Sequence, residues 1–332
     1  MSRYLGIAME STFGTPVTPP TTFLDVERIG LHAEREEMLA EGMQPLGPLG
    51  HMPGHYKTVG DIVLAPSADN LMAFLKLLVG TPQTTQDATS SRYKHVFNPT
   101  AAMNFATMYK SPEFCAGATE HMLQYISTTV VSGRFELSRG GPAKCTFGCF
   151  GQKDAKVPAI SVGTLSTVRP FFSLDANIYW STDLTSNEIT NVDALSFTFS
   201  RPVAEDAYAM NDPFLKCFIP GAPKLEGEMD LLFTDWTAYE KFWGGASGPI
   251  AKPANAALGL KLTGDVMTGG TGDYANYSFM MQAPNIMIKA IDDPVELRNK
   301  IMQSCSWTAA RGTVSATTLL ARFTLTNMIA SI

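Results

Sequence analysis

The chain repeats one pattern of elements: a strand, a long loop rich in glycine and proline, a second strand and a helix. The first copy is predicted at 26–31, 41–58, 59–64 and 67–79, and the second at 194–199, 202–223, 225–233 and 234–243. Gly80 and Gly244 stand where the two helices should end, which is typical of helix C-termini. The copies lie roughly 165–168 residues apart, at the upper end of the usual domain size. The repeat therefore predicts two related domains.

We place these domains at residues 1–165, which begin with an arm rich in proline and glycine, and at 166–332. A chain of 332 residues is long enough for two domains of ordinary size. The clearest strand is 130–138, where polar residues such as Arg134 alternate with apolar residues such as Phe135. Such alternation is typical of an antiparallel strand with one buried face. The sequence predicts a mainly β protein with one helix in each domain.

Charge and hydropathy exclude several classes of protein. Charged residues make up only 17% of the chain, the formal net charge is −6, and no basic stripe is present. A sequence-specific nucleic-acid binder is therefore not predicted, and a mildly acidic surface would let DNA pass without sticking. No stretch approaches the ~20 apolar residues of a membrane-spanning helix, so we expect a soluble protein without a membrane anchor.

No set of residues matches a catalytic or metal-binding motif. His51 and His55 have the i, i+4 spacing of a helical metal pair, but Pro53 lies between them and excludes the helix. Cys145 and Cys149 lack the further ligands that zinc needs, so we interpret them as buried core thiols. The five cysteines are odd in number and scattered, which favours reduced thiols over a disulfide framework. We predict no enzymatic activity, no metal and no cofactor.

Two further patterns allow both a functional and a structural interpretation. An acidic run after the first strand comprises Glu34, Glu36, Glu37 and Glu41. It fits a charged contact or channel lining as well as a solvated strand end. The second helix carries an aromatic stripe of Trp236, Tyr239 and Trp243. We favour packing of this stripe against the sheet over binding of a sugar or a base.

Three parts of the sequence resemble tail tube proteins of tailed bacteriophages. They are Glu-Ser-Thr-Phe-Gly-Thr at 10–15, the polar and apolar hairpin 132–147 with its Gly-Gly-Pro turn, and strands 195–201 and 225–231 followed by the helix 235–243. Together they cover most of the chain in the order found in the family. Where many members have Asn after the strand at 195–199, this chain has Arg201 and Pro202. The overall pattern is similar to that of a siphovirus-like major tail tube subunit of the tandem-domain type.

This resemblance implies both a fold and a function. Each domain would be an antiparallel β-sandwich or half-barrel flanked by one helix. The subunits would form rings, as trimers with pseudo-sixfold symmetry, and the rings would stack around a channel for genome DNA. The implied partners are further copies of the chain, the tape measure protein, tail terminator or tip proteins, and passing DNA without sequence-specific binding. The implied location is the virion tail, after assembly in the host cell cytoplasm.

The two long loops have the length to reach a neighbouring ring. Apolar residues on exposed loops of a monomer are otherwise hard to explain, so we interpret them as contact residues. The expected contact residues between rings or subunits are Leu46, Leu49, His51, Met52, His55, Phe214, Leu215, Phe218 and Ile219.

An alternative function is a two-domain β-sandwich adhesin or a carbohydrate-binding tail component. The exposure of the aromatic stripe separates the two functions. A sugar-binding protein should expose Trp236 or Trp243 in a groove, whereas a tube subunit should bury them.

Overall fold

The computed structural model describes residues 4–40, 50–88, 90–110, 121–161, 163–251, 256–292 and 301–332. In these residues it contains twenty β-strands and two α-helices. The strands are β1 (Leu5–Met9), β2 (Thr22–Leu24), β3 (Arg28–Ile29), β4 (His32–Ala40), β5 (Gly50–Leu64), β6 (Gln83–Gln86), β7 (Tyr93–Phe97), β8 (Ala106–Lys110), β9 (His121–Ser138), β10 (Lys144–Gly151), β11 (Lys153–Pro158), β12 (Ala176–Tyr179), β13 (Val192–Ser200), β14 (Lys224–Leu232), β15 (Ala256–Val266), β16 (Asn276–Asp292), β17 (Met302–Ala309), β18 (Gly312–Val314), β19 (Thr317–Leu319) and β20 (Arg322–Asn327). The helices are α1 (Leu71–Leu78) and α2 (Thr237–Trp243). The predicted mainly β fold, with large antiparallel sheets of the sandwich class, is confirmed.

Eight strands lie side by side in one antiparallel sheet, which we call the central sheet. Their order is β4, β5, β10, β9, β13, β14, β17 and β16. The two halves of the chain meet in its middle, where β9 pairs with β13 from Ser138↔Ala194 to Ser132↔Ser200. The first half also contributes β7, which pairs with β20 near the C-terminus. The halves therefore share one sheet.

The order of strand pairing repeats along the chain. In the first half β5, β10 and β9 are neighbours, and in the second half β14, β17 and β16 are neighbours in the same order. Likewise β1, β8, β9 and β11 are joined in sequence, as are β12, β15, β16 and β20. Helix α1 follows β5, and α2 follows β14. The repeated order of elements noted in the sequence therefore has a counterpart in the topology.

Strand β9 bends at Ser127, so its two parts pair with different sets of strands. Its first part pairs with β8 and β11, and its second part pairs with β10 and β13. Ser127 lies at the bend with φ of 49°, a left-handed conformation that non-glycine residues seldom adopt. The Glu10 carboxylate stabilises this bend, since it accepts hydrogen bonds from the Ser127 N–H (2.8 Å) and the Ser127 hydroxyl (2.6 Å).

The core lies on one face of the central sheet and runs through both halves of the chain. Phe135 on β9 stacks on Phe197 of β13 (ring centroids 4.8 Å apart) and on Phe279 of β16 (5.3 Å). It also meets the edge of Phe147 on β10, which in turn stacks on Phe74 of α1 at 4.4 Å. Each buried aromatic side chain contributes about 1.5–3 kcal/mol through burial. This shared core explains why the two halves form a continuous structure.

Both helices begin later than the sequence predicts. Ser67 and Asn70 instead form a turn before α1, in which the Ser67 N–H donates to Asn70 Oδ1 (2.7 Å) and the Asn70 N–H to Ser67 Oγ (3.3 Å). Helix α1 buries nearly all of its residues, whereas in α2 Ala238 is the buried residue. The predicted glycine at the end of α2 is confirmed, because Gly244 has φ of 72°.

The prediction that 41–58 lacks regular structure is wrong for residues 50–58, which form the first part of β5. Here β5 pairs with β4, whereas its pairing with β10 starts only at Thr58. Pro53 therefore sits where one side of the strand carries no sheet neighbour, and a register shift between Arg35 and Glu37 lies opposite it. Proline is tolerated at such edges and bulges because no ladder hydrogen bond is lost there. The segment is thus one arm of a long β-hairpin.

Candidate functional site

The β4–β5 hairpin is the most exposed feature of the central sheet. Every β4 side chain from His32 to Leu39 is exposed, so no element that the structure describes covers either face of this strand. The expected contact residues Leu46 and Leu49 lie outside the described residues. His51 and Met52 lie on β5 opposite Leu39 and Met38, and Met52 is 67% exposed. Met38 and Met52 therefore lie side by side as an exposed apolar pair on one face of the hairpin, and the exposed Leu39 lies beside His51 on the other face.

The loop 202–221 packs against the base of this hairpin instead of extending separately. The Tyr56 N–H donates to the Pro213 carbonyl (2.8 Å), and Tyr56 forms a parallel bridge with Phe214. His55 stacks on Tyr208 with ring centroids 3.9 Å apart. These contacts bring the two predicted loops together at one end of the sheet.

Polar contacts reinforce the base of the hairpin. Lys57 Nζ lies 2.5 Å from Glu205 Oε2, and the Tyr56 hydroxyl donates to Asp154. Burial, together with the hydrogen bond to Asp154, raises the pKa of Tyr56 to about 12. Tyr56 therefore stays protonated and keeps donating at physiological pH. The hairpin base is fixed while its outer part projects.

The expected contact residues of the second loop differ in accessibility. Leu215 is fully buried, and its carbonyl accepts a hydrogen bond from Gln152 Nε2 (2.7 Å). Phe214 packs edge-on against Tyr56, and Phe218 lies 5.0 Å from the ring of Phe13. Ile219 is exposed. Three of these four side chains thus anchor the loop within the chain, and Ile219 alone among the four presents a large exposed apolar surface.

Two strands of the central sheet have an open edge. Within the described residues, β4 pairs with β5 alone, and the part of β16 from Met287 to Asp292 pairs with β17 alone. These are the two outermost strands of the eight. Unpaired backbone N–H and C=O groups on such edges can pair with another chain.

The face of the central sheet that points away from the core is polar. Rows of directly opposite residues cross it from strand to strand. One row is Lys144, Glu136, Ser196, Glu228 and Ser306, and the next is Thr146, Arg134, Thr198, Glu226 and Thr308. Strand β14 alone presents three carboxylates on this face, those of Glu226, Glu228 and Asp230. A large polar face therefore extends across both halves of the chain. It carries acidic and basic side chains, and β14 is its acidic strand.

The aromatic stripe of α2 does not pack against the sheet as expected. Trp236 is 55% exposed, and its ring stacks on Trp243 with centroids 6.0 Å apart. Tyr239 and Phe233 complete the group at 5.4 Å and 5.3 Å from Trp236. The prediction fails because helical spacing shows which residues share a face but not which face meets the sheet. Here Ala238 faces inward and the aromatic side chains pack on one another.

The histidines and cysteines that the sequence singles out lie on an exposed strand and in the core. In the described ranges, no cluster of three or more His, Cys, Asp or Glu side chains has the spacing of a metal site. His51 and His55 lie on an exposed strand, and His55 pairs with Glu36. Burial raises the pKa of Cys145 and of Cys149, so both thiols stay protonated and unreactive. The expectation that these cysteines are core residues is confirmed.

The structural role of the segment 10–15 could not be predicted from the sequence. Besides the Glu10 contacts, the Gly14 N–H donates to the Ser127 hydroxyl (2.7 Å), and Gly14 itself has φ of 80°. Phe13 joins Phe105 and Phe218 in one aromatic group. The sequence shows a carboxylate, Glu10, followed four residues later by Gly14, but this pattern does not indicate that both residues contact Ser127.

No helix among the described residues is long and apolar enough to cross a lipid bilayer. A family model described as "Phage tail tube protein" matches residues 2–309, and no curated protein matches the chain. Members of that family are structural components of the virion tail that self-assemble into a tube, and the family is not an enzyme family. The match covers nearly the whole chain and agrees with its β-rich fold. This chain belongs to the phage tail tube protein family.

Proposed function

We propose that the protein is the major tail tube subunit and that its rings stack around a channel through which genome DNA passes. The observation that carries the proposal is the arrangement of the central sheet. Its two halves, 1–165 and 166–332, pair through β9 and β13, and its outermost strands β4 and β16 have open edges. In this proposal each half is one tail tube domain.

The repeated order of strands supports a closed ring. Strand β16 occupies the position in the second half that β9 occupies in the first, and β3–β4 occupy the position of β13. The open edge of β16 would therefore pair with the β3–β4 edge of the next copy, as β9 pairs with β13 within the chain. Such a head-to-tail contact gives a closed ring when the rotation closes. If each half is one sixth of the ring, three copies complete it.

The polar face of the central sheet then lines the channel, and the core and helices lie outside. A closed barrel needs one continuous inward face, and the polar face is the one that no element of the described chain covers. The carboxylates Glu226, Glu228 and Asp230 repel phosphate groups, while Arg134, Lys144 and Lys224 are interspersed with them. DNA would pass without sequence-specific contacts because mixed charges with an acidic excess do not hold the backbone.

The β4–β5 hairpin and the loop 202–221 link one ring to the next. Both lie at the same end of the central sheet, and the hairpin base is braced by the loop. Exposed contact residues in this proposal are His51, Met52, His55 and Ile219. The tape measure protein and the tail terminator or tip proteins would contact the tube inside and at its ends. Assembly would take place in the host cell cytoplasm.

The proposal is tested by electron microscopy and mass measurement of the purified protein. We expect rings whose mass is a multiple of three chains, and tubes at higher concentration. Deleting residues 44–54 removes His51 and Met52 and should leave rings that no longer form tubes. A Gly/Ser segment of the original length at 44–54 keeps the hairpin length and should also give rings without tubes, because the contact side chains are missing. Monodisperse monomers under all conditions would overturn the proposal.

One observation favours a second candidate function, a carbohydrate-binding tail component or adhesin. The exposed ring of Trp236, with the half-buried rings of Tyr239 and Trp243 beside it, forms the kind of aromatic surface on which sugars stack. A glycan array with the wild type and Trp236→Ala tests it. Binding that the substitution removes would support this function, and absence of binding to any glycan would leave the tube subunit as the single candidate.

A further inference from the structure

A groove of about 530 Å³ opens beside the turn between β9 and β10. Its floor is apolar and consists of buried side chains: Leu137, Ile178, Ile189 and Leu195. Its rim carries Leu174, which is 93% exposed, and Leu232, which is also exposed. A cavity of this size holds a drug-sized group, which corresponds to several apolar side chains. The groove therefore has the volume and the lining to receive an apolar segment.

The groove and the β4–β5 hairpin lie at opposite ends of the central sheet. Strand β5 starts near the hairpin end at Gly50 and finishes at Leu64, which lies opposite Cys145 at the start of β10. At that second end, Ser138 of β9 lies opposite Ala194 of β13, and both residues line the groove. A displacement along the strands thus brings the hairpin of one copy toward the groove of another.

The two ends also match in chemistry. The hairpin presents Met38 and Met52 side by side on one face and Leu39 on the other, and exposed apolar side chains of this kind mark interaction sites. Glu37 on the hairpin makes no ion pair with any residue that the structure describes. At the mouth of the groove, the largely exposed Arg139 side chain lies 3.7 Å from Asp193, a distance that leaves it able to contact a second carboxylate.

We propose that this groove is the receptor for the β4–β5 hairpin of a second copy of the chain in the adjacent ring. The face that carries Met38 and Met52 would cover the groove floor and rim, and Glu37 would approach Arg139. The inference rests on the proposed tube function and names its inter-ring surface. Because hairpin and groove are different surfaces of one chain, the contact is heterologous and continues from ring to ring, as a tube requires.

Cross-linking tests the contact directly. The variant Met52→Cys with Leu174→Cys is made in a chain that also carries Cys115→Ser and Cys217→Ser, because Cys217 is exposed and Cys115 lies outside the described residues. Tubes of the double variant, treated with a short thiol-to-thiol cross-linker, should give a ladder of linked chains in denaturing gels. Each single-cysteine variant in the same background should give none. Tubes without a ladder would overturn the receptor, while the tube function would still stand.

Substitution at the rim provides an independent test. Leu174→Asp places a charge against the apolar hairpin and should leave rings while tube yield falls at least tenfold. Leu174→Met keeps the rim apolar and should form tubes like the wild type. If Leu174→Asp forms tubes normally, the groove is not the receptor. If the unmodified chain forms neither rings nor tubes, the proposed function itself fails, so the two failures are distinguishable.

Discussion

Removal of the Glu10 side chain should destabilise the fold more than removal of any exposed carboxylate. Glu10 is 9% exposed, and its Oε1 accepts hydrogen bonds from the Ser127 N–H (2.8 Å) and the Thr107 hydroxyl (2.5 Å). Its Oε2 accepts one from the Ser127 hydroxyl (2.6 Å). These three bonds converge on the bend that lets β9 serve two layers. Glu10→Ala removes all three at once.

The size of the effect follows from the donors left behind. A hydrogen bond to a charged group contributes about 1.5–3 kcal/mol, and a buried donor without an acceptor costs about 1–3 kcal/mol. The two hydroxyls of Ser127 and Thr107 can rotate toward other acceptors, but the Ser127 N–H is fixed by the backbone. We therefore expect Glu10→Ala to lower the free energy of unfolding by about 3–5 kcal/mol. Glu10→Gln keeps the Oε1 acceptor and should cost about 1–2 kcal/mol.

Urea unfolding of dilute, unassembled protein measures the effect through the transition midpoint at constant slope. Glu34→Ala, which removes a carboxylate from the exposed strand β4, is the matched control and should change stability by less than about 0.5 kcal/mol. If Glu10→Ala proves as mild as Glu34→Ala, the argument that this carboxylate holds the β9 bend is wrong.

Three further predictions concern pH, DNA and the aromatic group. Burial lowers the pKa of His95 below its ordinary value of 6.5, so near that pH the folded state binds fewer protons than the unfolded state. The free energy of unfolding should therefore be at its full value above pH 6.5 and fall as the pH drops below 6.5. In His95→Gln the urea midpoint should depend less on pH. Glu226→Lys with Glu228→Lys should make tubes retain DNA in a salt-dependent way, measured by co-sedimentation, whereas equal retention by wild-type tubes would contradict a repelling channel. Acrylamide should quench the fluorescence of Trp236 in unassembled protein, as a comparison with Trp236→Phe will show; a Trp236 contribution that resists quenching would contradict its exposure.

The strands of the core could be predicted because polar and apolar side chains alternate along them, which indicates one buried face. In β9, Phe135 and Leu137 point to the core, while Arg134 and Glu136 point away, as the alternation predicts. The glycine that ends α2 was also predictable, since a left-handed residue at a helix C-terminus is usually glycine. These are local rules, and no distant residue alters them.

The hairpin and the aromatic group were not predictable, because distant contacts decide them. The density of proline and glycine at 41–58 argues against a strand, yet β5 starts at Gly50 because β4 pairs with it and leaves one edge open for Pro53. The contacts of Tyr56 with Pro213 and Phe214 join segments far apart in the sequence. No local sequence pattern predicts contacts of this kind, so the sequence did not indicate that the segments 41–58 and 202–223 contact each other.

The acidic run of β4 gains a specific role in the proposed ring. Its open edge must pair with β16 of the next copy and not with a second β4, although both edges offer the same backbone groups. If β4 of one copy paired with β4 of another, the carboxylates of Glu34, Glu36 and Glu37 would lie close to those of the other copy. Like charges directly opposite each other on paired strands are destabilising. The open edge of β16 has no such run and carries one basic residue, Lys289, and one acidic residue, Asp292. In the proposed ring the run would therefore disfavour symmetric dimers, which would end assembly, and would favour the head-to-tail contact.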